Sequence, residues 1–110
     1  MRIPIVTFGL TIPAEPYTAH AVHIAPEFTA WPGLLGKWWL GDTVSGTFGG
    51  VYLFASQHDA DRSRGTDLFR GMLVNPALKD VTVQEYDVLD APTATTAPAS
   101  RPTSALQKAP

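Results

Sequence analysis

The segment of residues 32–54 constrains the fold of this chain more than any other. It reads PGLLGKWWLGDTVSGTFGGVYLF, with two adjacent tryptophans and an apolar run, Val51 to Phe54, in which no polar residue alternates. This pattern predicts a hairpin with strands at about 34–41 and 49–56, joined by a polar, glycine-containing loop. The second strand is apolar on both faces. A chain of 110 residues does not easily bury both faces of a sheet alone, so the hairpin also bears on the oligomeric state of the protein.

The region before the hairpin predicts one strand and one helix. Residues 2–11 are rich in β-branched side chains and predict a strand. Apolar residues then recur at helical spacing from Tyr17 to Trp31, which predicts a helix with one apolar stripe. Pro26 is expected to bend or shorten this helix, and the Pro-Gly pair at 32–33 to end it.

The region after the hairpin predicts a second helical segment and a last strand. Ser56 and Asp59 are typical of a helix N-cap, residues 57–64 follow as helix, and a second apolar helical face lies at 68–73. Residues 79–88 predict the final strand. The order β-α-β-β-α-β indicates an α+β, ferredoxin-like fold: a four-stranded antiparallel sheet with both helices on one face. We expect the first and third strands to be central.

Composition divides the chain into a body and a tail. Residues 1–90 form one domain, since a hydrophobic content of 45% supports a core. Residues 91–110 consist almost wholly of Pro, Ala, Thr and Ser. Such a segment buries too little apolar area to offset its ordering entropy, so we expect it to be disordered.

Charge and residue usage exclude several classes of function. The net charge is −2 and the basic residues are scattered, which argues against nucleic-acid binding. The chain has no cysteine, so thiolate chemistry and cysteine-ligated metals are excluded, and a cytoplasmic location is expected. No run is long enough to span a membrane, and a pair of histidines at 20 and 23 lacks an evident third metal ligand.

The two most apolar strands predict a homodimer. Alternation places Val51 and Leu53 on one face of their strand and Tyr52 and Phe54 on the other. Helices cover only one of these faces in a ferredoxin-like monomer. A second copy packed sheet to sheet, with Trp38 in the interface, is the simplest cover for the other. The alternative is that the tail folds back over it.

Several short motifs occur in an order that resembles a known family. They are PGL at 32–34, Lys37 with Trp39, GGVYLF at 49–54, DLFRG at 67–71, Asn75-Pro76 and YDV at 86–88. Together with the predicted element order they cover residues 1–90. The pattern resembles the YdhR-like monooxygenases of the dimeric α+β barrel superfamily, to which the antibiotic-biosynthesis monooxygenases also belong.

The resemblance implies a fold, an activity and a site. It implies a dimer whose two sheets form a barrel, with one pocket per subunit between sheet and helices. Several relatives insert oxygen into aromatic polyketides without flavin, haem or metal. An enzyme of this kind uses molecular oxygen and an aromatic or polyketide-like substrate, takes no cofactor, and suits secondary metabolism.

The candidate catalytic residues come from the resemblance on β-strand positions and from helical spacing for His20. The resemblance points the face bearing Lys37 and Trp39 toward the helices, where Lys37 would stabilise an enolate or phenolate. His20, at the flank of the helical stripe, is the best candidate base. Each has a plainer reading: Lys37 as an edge-strand charge, Trp39 as core, and His20 as a boundary residue without a role.

Further residues are expected to bind substrate. Aromatic side chains offer flat apolar walls, and tyrosine adds one hydrogen-bond donor. The candidates lie on both predicted helices and on the third strand, and Tyr52 in particular could instead be an ordinary core tyrosine. They are Tyr17, Tyr52, Phe54, Phe69 and Met72.

The sequence therefore leaves three candidate functions. The first is a cofactor-independent monooxygenase acting on an aromatic or polyketide-like small molecule. The second is a cyclase or isomerase of the same fold that uses His20 or Lys37. The third is a non-catalytic dimer that binds a small apolar ligand. Fold alone does not separate them.

Overall fold

A computed structural model of the chain describes residues 1–97, and four strands and four helices lie within them. The last three helices are short. The elements follow the chain in this order: β1 Arg2–Leu10, α1 Ala14–Phe28, β2 Leu34–Asp42, β3 Thr47–Phe54, α2 Gln57–Ser63, α3 Asp67–Val74, β4 Leu78–Asp87 and α4 Asp90–Thr96.

The strands form one antiparallel sheet in the order β2-β3-β1-β4. This is the ferredoxin-like arrangement, and it confirms the predicted α+β fold with the first and third strands at the centre. Register places Ile5 opposite Val51 and Lys37 opposite Tyr52. Because side chains alternate along a strand, these pairings fix which residues share a face.

One face of the sheet carries the core. Val6 and Phe8 of β1 and Phe48, Tyr52 and Phe54 of β3 form a buried cluster on this face. The cluster also contains one residue from each of the first three helices and one from the loop after α1, namely Phe28, Ala60, Phe69 and Trp31. The helices therefore cover the face that the alternation of β3 assigns to Tyr52 and Phe54.

The other face of the sheet is also apolar, but within residues 1–97 its side chains do not belong to the buried core cluster. Ile3, Ile5, Val51 and Trp38 lie on it, as the pairings of Ile5 with Val51 and of Val51 with Trp38 require. The Trp38 side chain is 54% exposed although it is the largest on this surface. We call these residues, with Leu53, the open face.

Helix α1 begins and ends earlier than its apolar stripe, and its end is shortened near Pro26 as expected. It begins at Ala14 and ends at Phe28, three residues before Trp31. Pro26 lies inside its last turn, where it removes one backbone donor, and the chain then turns so that the Trp31 N–H donates to the Phe28 carbonyl at 3.0 Å. Gly33 follows with φ 74°, a conformation that favours glycine.

The two helices after the hairpin are capped by hydroxyl groups. Ser56 accepts a hydrogen bond from the Asp59 N–H at 3.2 Å, as predicted, and Thr66 accepts one from the Phe69 N–H at 3.2 Å. Arg64 closes α2 and pairs with Glu85 of β4, which also binds Arg2 at 3.1 Å. The Arg64–Glu85 pair joins the end of α2 to β4.

The segment expected to be disordered is helical at its beginning. Helix α4 occupies Asp90–Thr96, with an acidic residue in its first turn and Pro92 at a position where no intrahelical donor is lost. Its alanines and these two features favour a short helix despite the composition. The remaining part of the predicted tail, 98–110, lies outside the described residues. No helix within residues 1–97 is long and apolar enough to cross a membrane.

Candidate functional site

A cavity of about 470 Å³ lies between the sheet and helices α1 and α3. Its size falls within the range of about 300–1,000 Å³ that small-molecule sites occupy. Most of its wall is apolar and comes from Phe8, Ile12, Tyr17, Ala21, Ile24, Phe28, Trp31, Trp39, Tyr52, Leu68, Phe69, Met72, Ala77 and Leu78. The other lining residues are His20, Lys37, Gly49, Asp67, Gly71 and Asn75.

Lys37 projects from β2 into this aromatic wall. Its Nζ lies 3.4 Å from the centroid of the Trp39 ring, 3.5 Å from that of Phe28 and 4.7 Å from that of Tyr52. We call these three rings the aromatic cage. Within residues 1–97 no carboxylate forms an ion pair with Lys37, so ring faces are the groups that surround its amine.

The electrostatics of Lys37 follow from this setting. Burial lowers the pKa of its amine from 10.5 to about 7, because the charged form loses its hydration. The negative faces of the cage attract an ammonium and act in the opposite direction. The amine can therefore take up a proton near neutral pH and keep it in an apolar surrounding.

Two phenol groups share the cavity with Lys37. Burial raises the pKa of Tyr17, and it raises the pKa of Tyr52 further, with an added contribution from Tyr17 itself. Both therefore stay protonated at neutral pH and remain hydrogen-bond donors. Among the side-chain hydrogen bonds of residues 1–97 neither hydroxyl has a protein partner, and neither is sealed from the cavity.

Phe54 is not part of the cavity wall, in contrast to its predicted substrate-binding role. Its ring stacks on Trp31 at 6.2 Å and on Tyr52 at 6.3 Å, and its side chain is only 1% exposed. Phe54 shares the face of Tyr52 but lies at the end of β3, where α2 and Trp31 close the core. It therefore packs against Tyr52 within the core.

The remaining predicted site residues lie around the cavity. Trp39 is 37% exposed, and its ring meets that of Phe28 edge to face at 5.4 Å, so it is a wall residue and not sealed core. Phe69 and Met72 line the cavity from α3. His20 lines it from α1 and is exposed to solvent, which places it at the opening.

The histidines do not form a metal site within the described residues. His23, one turn from His20, is exposed and does not line the cavity. No group of three or more His, Asp or Glu side chains among residues 1–97 is arranged to hold a metal ion.

Sequence reasoning missed several wall residues. Phe28 is the most important, because it completes the aromatic cage; it lies on the predicted apolar stripe of the first helix but is not among the predicted site residues. Phe8 follows from strand alternation in the same way. Asp67 and Asn75 lie at the two ends of α3; both belong to motifs that carry the resemblance, but neither is among the predicted site residues.

The fold has many solved relatives of low sequence identity. A "putative antibiotic biosynthesis monooxygenase" from Deinococcus radiodurans is 18% identical, with a TM-score of 0.66 over 83% of this chain and 95% of that one. SnoaB, a cofactor-independent oxygenase from Streptomyces nogalater, is 12% identical, with a TM-score of 0.64 over 80% and 93%. The haem-degrader MhuD from Mycobacterium tuberculosis, with two haems bound, is 17% identical, with a TM-score of 0.65 over 81% and 96%.

A family model identifies the chain more closely than these structures do. Comparison with curated proteins gave no significant match. One family model, described as "Putative mono-oxygenase ydhR", matches residues 3–99, which is most of the chain. The chain therefore belongs to the ydhR mono-oxygenase family.

Proposed function

We propose that this protein is a cofactor-independent monooxygenase that oxidises an aromatic or polyketide-like small molecule in the cavity beside Lys37. The observation that carries the proposal is the buried amine of Lys37 within the aromatic cage. SnoaB, whose fold is similar, is a cofactor-independent oxygenase. Membership of a mono-oxygenase family supports the same reaction class.

Lys37 is the proposed base. A substrate such as a hydroxyanthrone has an acidic C–H or O–H, and an amine with a pKa of about 7 can remove that proton at neutral pH. The product is an ammonium beside a delocalised anion. The ring faces of the cage stabilise the ammonium, and the ammonium stabilises the anion in an apolar surrounding.

Oxygen insertion then follows from the electron-rich anion. The anion transfers one electron to O₂, and the radical and superoxide combine to a peroxide at the carbon that lost its proton. Loss of water from the protonated peroxide leaves a carbonyl. One oxygen atom enters the product and the other becomes water, while the substrate's CH₂ group supplies all four electrons.

The two phenols are proposed to orient the substrate. Tyr17 and Tyr52 keep their protons, and their hydroxyls have no protein partner among residues 1–97, so each can donate to a substrate oxygen. A donor aimed at an oxygen that gains negative charge on deprotonation stabilises the transition state more than the ground state. His20, at the opening, is the alternative base.

We also propose that the active form is a homodimer joined through the open face. Trp38, which is 54% exposed, and Val51 provide an apolar surface beside the buried Leu53, and a second copy related by two-fold symmetry would bury it. The cavity lies on the opposite side of the sheet, so each subunit holds a complete set of Lys37, Tyr17 and Tyr52.

Oxygen uptake with a hydroxyanthrone tests the proposed function. We expect one O₂ consumed per quinone formed by the wild type, and a loss of at least 100-fold in kcat for Lys37→Met, in the range of removing a general base. Lys79→Met, at an exposed position on β4, is the matched control and should retain full activity. A product isomeric with the substrate would instead indicate a cyclase or isomerase. Binding without turnover would indicate a ligand-binding dimer.

A further inference from the structure

The amine of Lys37 has the surroundings of a nucleophile as well as those of a base. It lies in the wall of a cavity of about 470 Å³, with its Nζ within 5 Å of three ring centroids. Its neighbours along β2 are apolar or glycine, and no carboxylate of residues 1–97 holds it as an ion pair. Lysines in apolar pockets are the ones that form Schiff bases with carbonyl compounds.

We propose that Lys37 forms a reversible imine with small aromatic aldehydes that enter the cavity. This covalent activity goes beyond the proposed oxygenation and does not depend on it. The lone pair of Nζ attacks the carbonyl carbon, and the resulting carbinolamine releases the carbonyl oxygen as water. Both amine hydrogens leave in that water and a C=N bond remains, so no oxidant or reductant is needed.

The shape of the cavity selects the aldehyde. Phe28 and Trp39 meet edge to face, each with its ring centroid within 3.5 Å of the amine, and the Tyr52 centroid lies 4.7 Å from it. The walls nearest Nζ are therefore aromatic, and a flat aromatic ring packs favourably against such walls. The wall bears few charges, and a low-polarity site favours the neutral amine and the neutral aldehyde over their hydrated forms. A charged or branched aliphatic aldehyde should react much less.

The chain contains its own controls, because it has only three lysines: Lys37, Lys79 and Lys108. The full-length protein is incubated with 1-naphthaldehyde at neutral pH and then reduced with sodium borohydride, which converts an imine to a stable secondary amine. Peptide mass mapping then measures the modified fraction of each lysine. We expect Lys37 to be modified at least tenfold faster than Lys79, although Lys79 is the more exposed.

Two additional measurements test whether modification of Lys37 requires the cavity and the lysine amine. 2-Naphthol, which has the same ring system but no aldehyde, should suppress modification of Lys37 and leave Lys79 unchanged, and this needs only the wild type. Lys37→Arg keeps a cation but cannot form an imine, so modification of this variant should be limited to the slow reaction of Lys79 and Lys108. Equal modification of all three lysines, or modification of Lys37 that 2-naphthol does not suppress, would overturn the proposal.

The imine proposal and the oxygenase proposal can fail independently of each other. If Lys37 is trapped but a hydroxyanthrone consumes no oxygen, the imine proposal stands and the oxygenase proposal fails. If oxygen is consumed but Lys37 is not trapped, the reverse holds.

Discussion

Lys37→Met should stabilise the protein most at low pH, and the gain should fall as the pH rises from about 7 toward the pKa of an unfolded lysine. A folded-state pKa of about 7 against an ordinary 10.5 corresponds to about 5 kcal/mol, at 1.36 kcal/mol per pKa unit. At a pH below 7 the buried ammonium therefore lowers the free energy of unfolding by on the order of 5 kcal/mol. Methionine fills a similar volume without a charge.

The sign of the pH dependence follows from proton binding. Between about pH 7 and pH 10 the unfolded chain keeps the Lys37 proton while the folded protein has released it, so wild-type stability rises with pH. The methionine variant lacks this rise. Its advantage should be largest near pH 6 and should shrink by more than half at about pH 9.5. Higher pH is avoided because tyrosines of the unfolded chain, whose ordinary pKa is about 10, begin to ionise there.

Urea unfolding followed by tryptophan fluorescence at fixed protein concentration gives the two free energies. Lys79→Met, at an exposed lysine, should match the wild type at every pH. A Lys37→Met variant that is less stable than the wild type at pH 6, or an advantage that does not change with pH, would refute the assignment of a desolvated amine.

Three further predictions concern the cavity, the core and the open face. Tyr52→Phe should change the free energy of unfolding by less than about 0.5 kcal/mol, since its hydroxyl has no protein partner among residues 1–97. It should nevertheless lower kcat/KM about tenfold. A loss of stability large enough to explain the loss of activity would argue against a substrate contact. Phe54→Ala should cost about 3–5 kcal/mol in urea unfolding, because the side chain is fully buried, and a cost below about 1 kcal/mol would contradict its placement in the core. Trp38→Glu should convert the proposed dimer to a folded monomer in light scattering with unchanged far-ultraviolet circular dichroism, and a variant that remains dimeric would place the interface elsewhere.

The fold could be predicted because local signals agree with one another. The apolar run from Val51 to Phe54 indicates a central strand, and the capping pair Ser56 and Asp59 locates α2. Alternation alone assigns Tyr52 and Phe54 to one face of β3, and the core cluster occupies that face. Element boundaries are less certain: α1 begins three residues early and ends three residues early, because the apolar stripe continues into the turn that carries Trp31.

The candidate site was less accessible to sequence reasoning. Alternation placed Lys37 and Trp39 on one side of β2, but only the resemblance said which side the helices cover. The approach of Phe28 to Lys37 joins a helix to an edge strand, and no local rule specifies how far α1 stands from the sheet. Phe54 illustrates the same limit, because strand period gives the face of a residue but not whether a cavity reaches it.

The central claim is that Lys37 removes a proton from the substrate so that the resulting anion reacts directly with oxygen. Mass spectrometry of the product formed from a hydroxyanthrone under ¹⁸O₂, with the wild type and with Lys37→Met at equal concentration, tests it most directly. We expect one ¹⁸O atom in each quinone made by the wild type, and a rate of labelled product at least 100-fold lower for the variant. A Lys37→Met enzyme that makes labelled quinone at the wild-type rate would show that Lys37 is not the base.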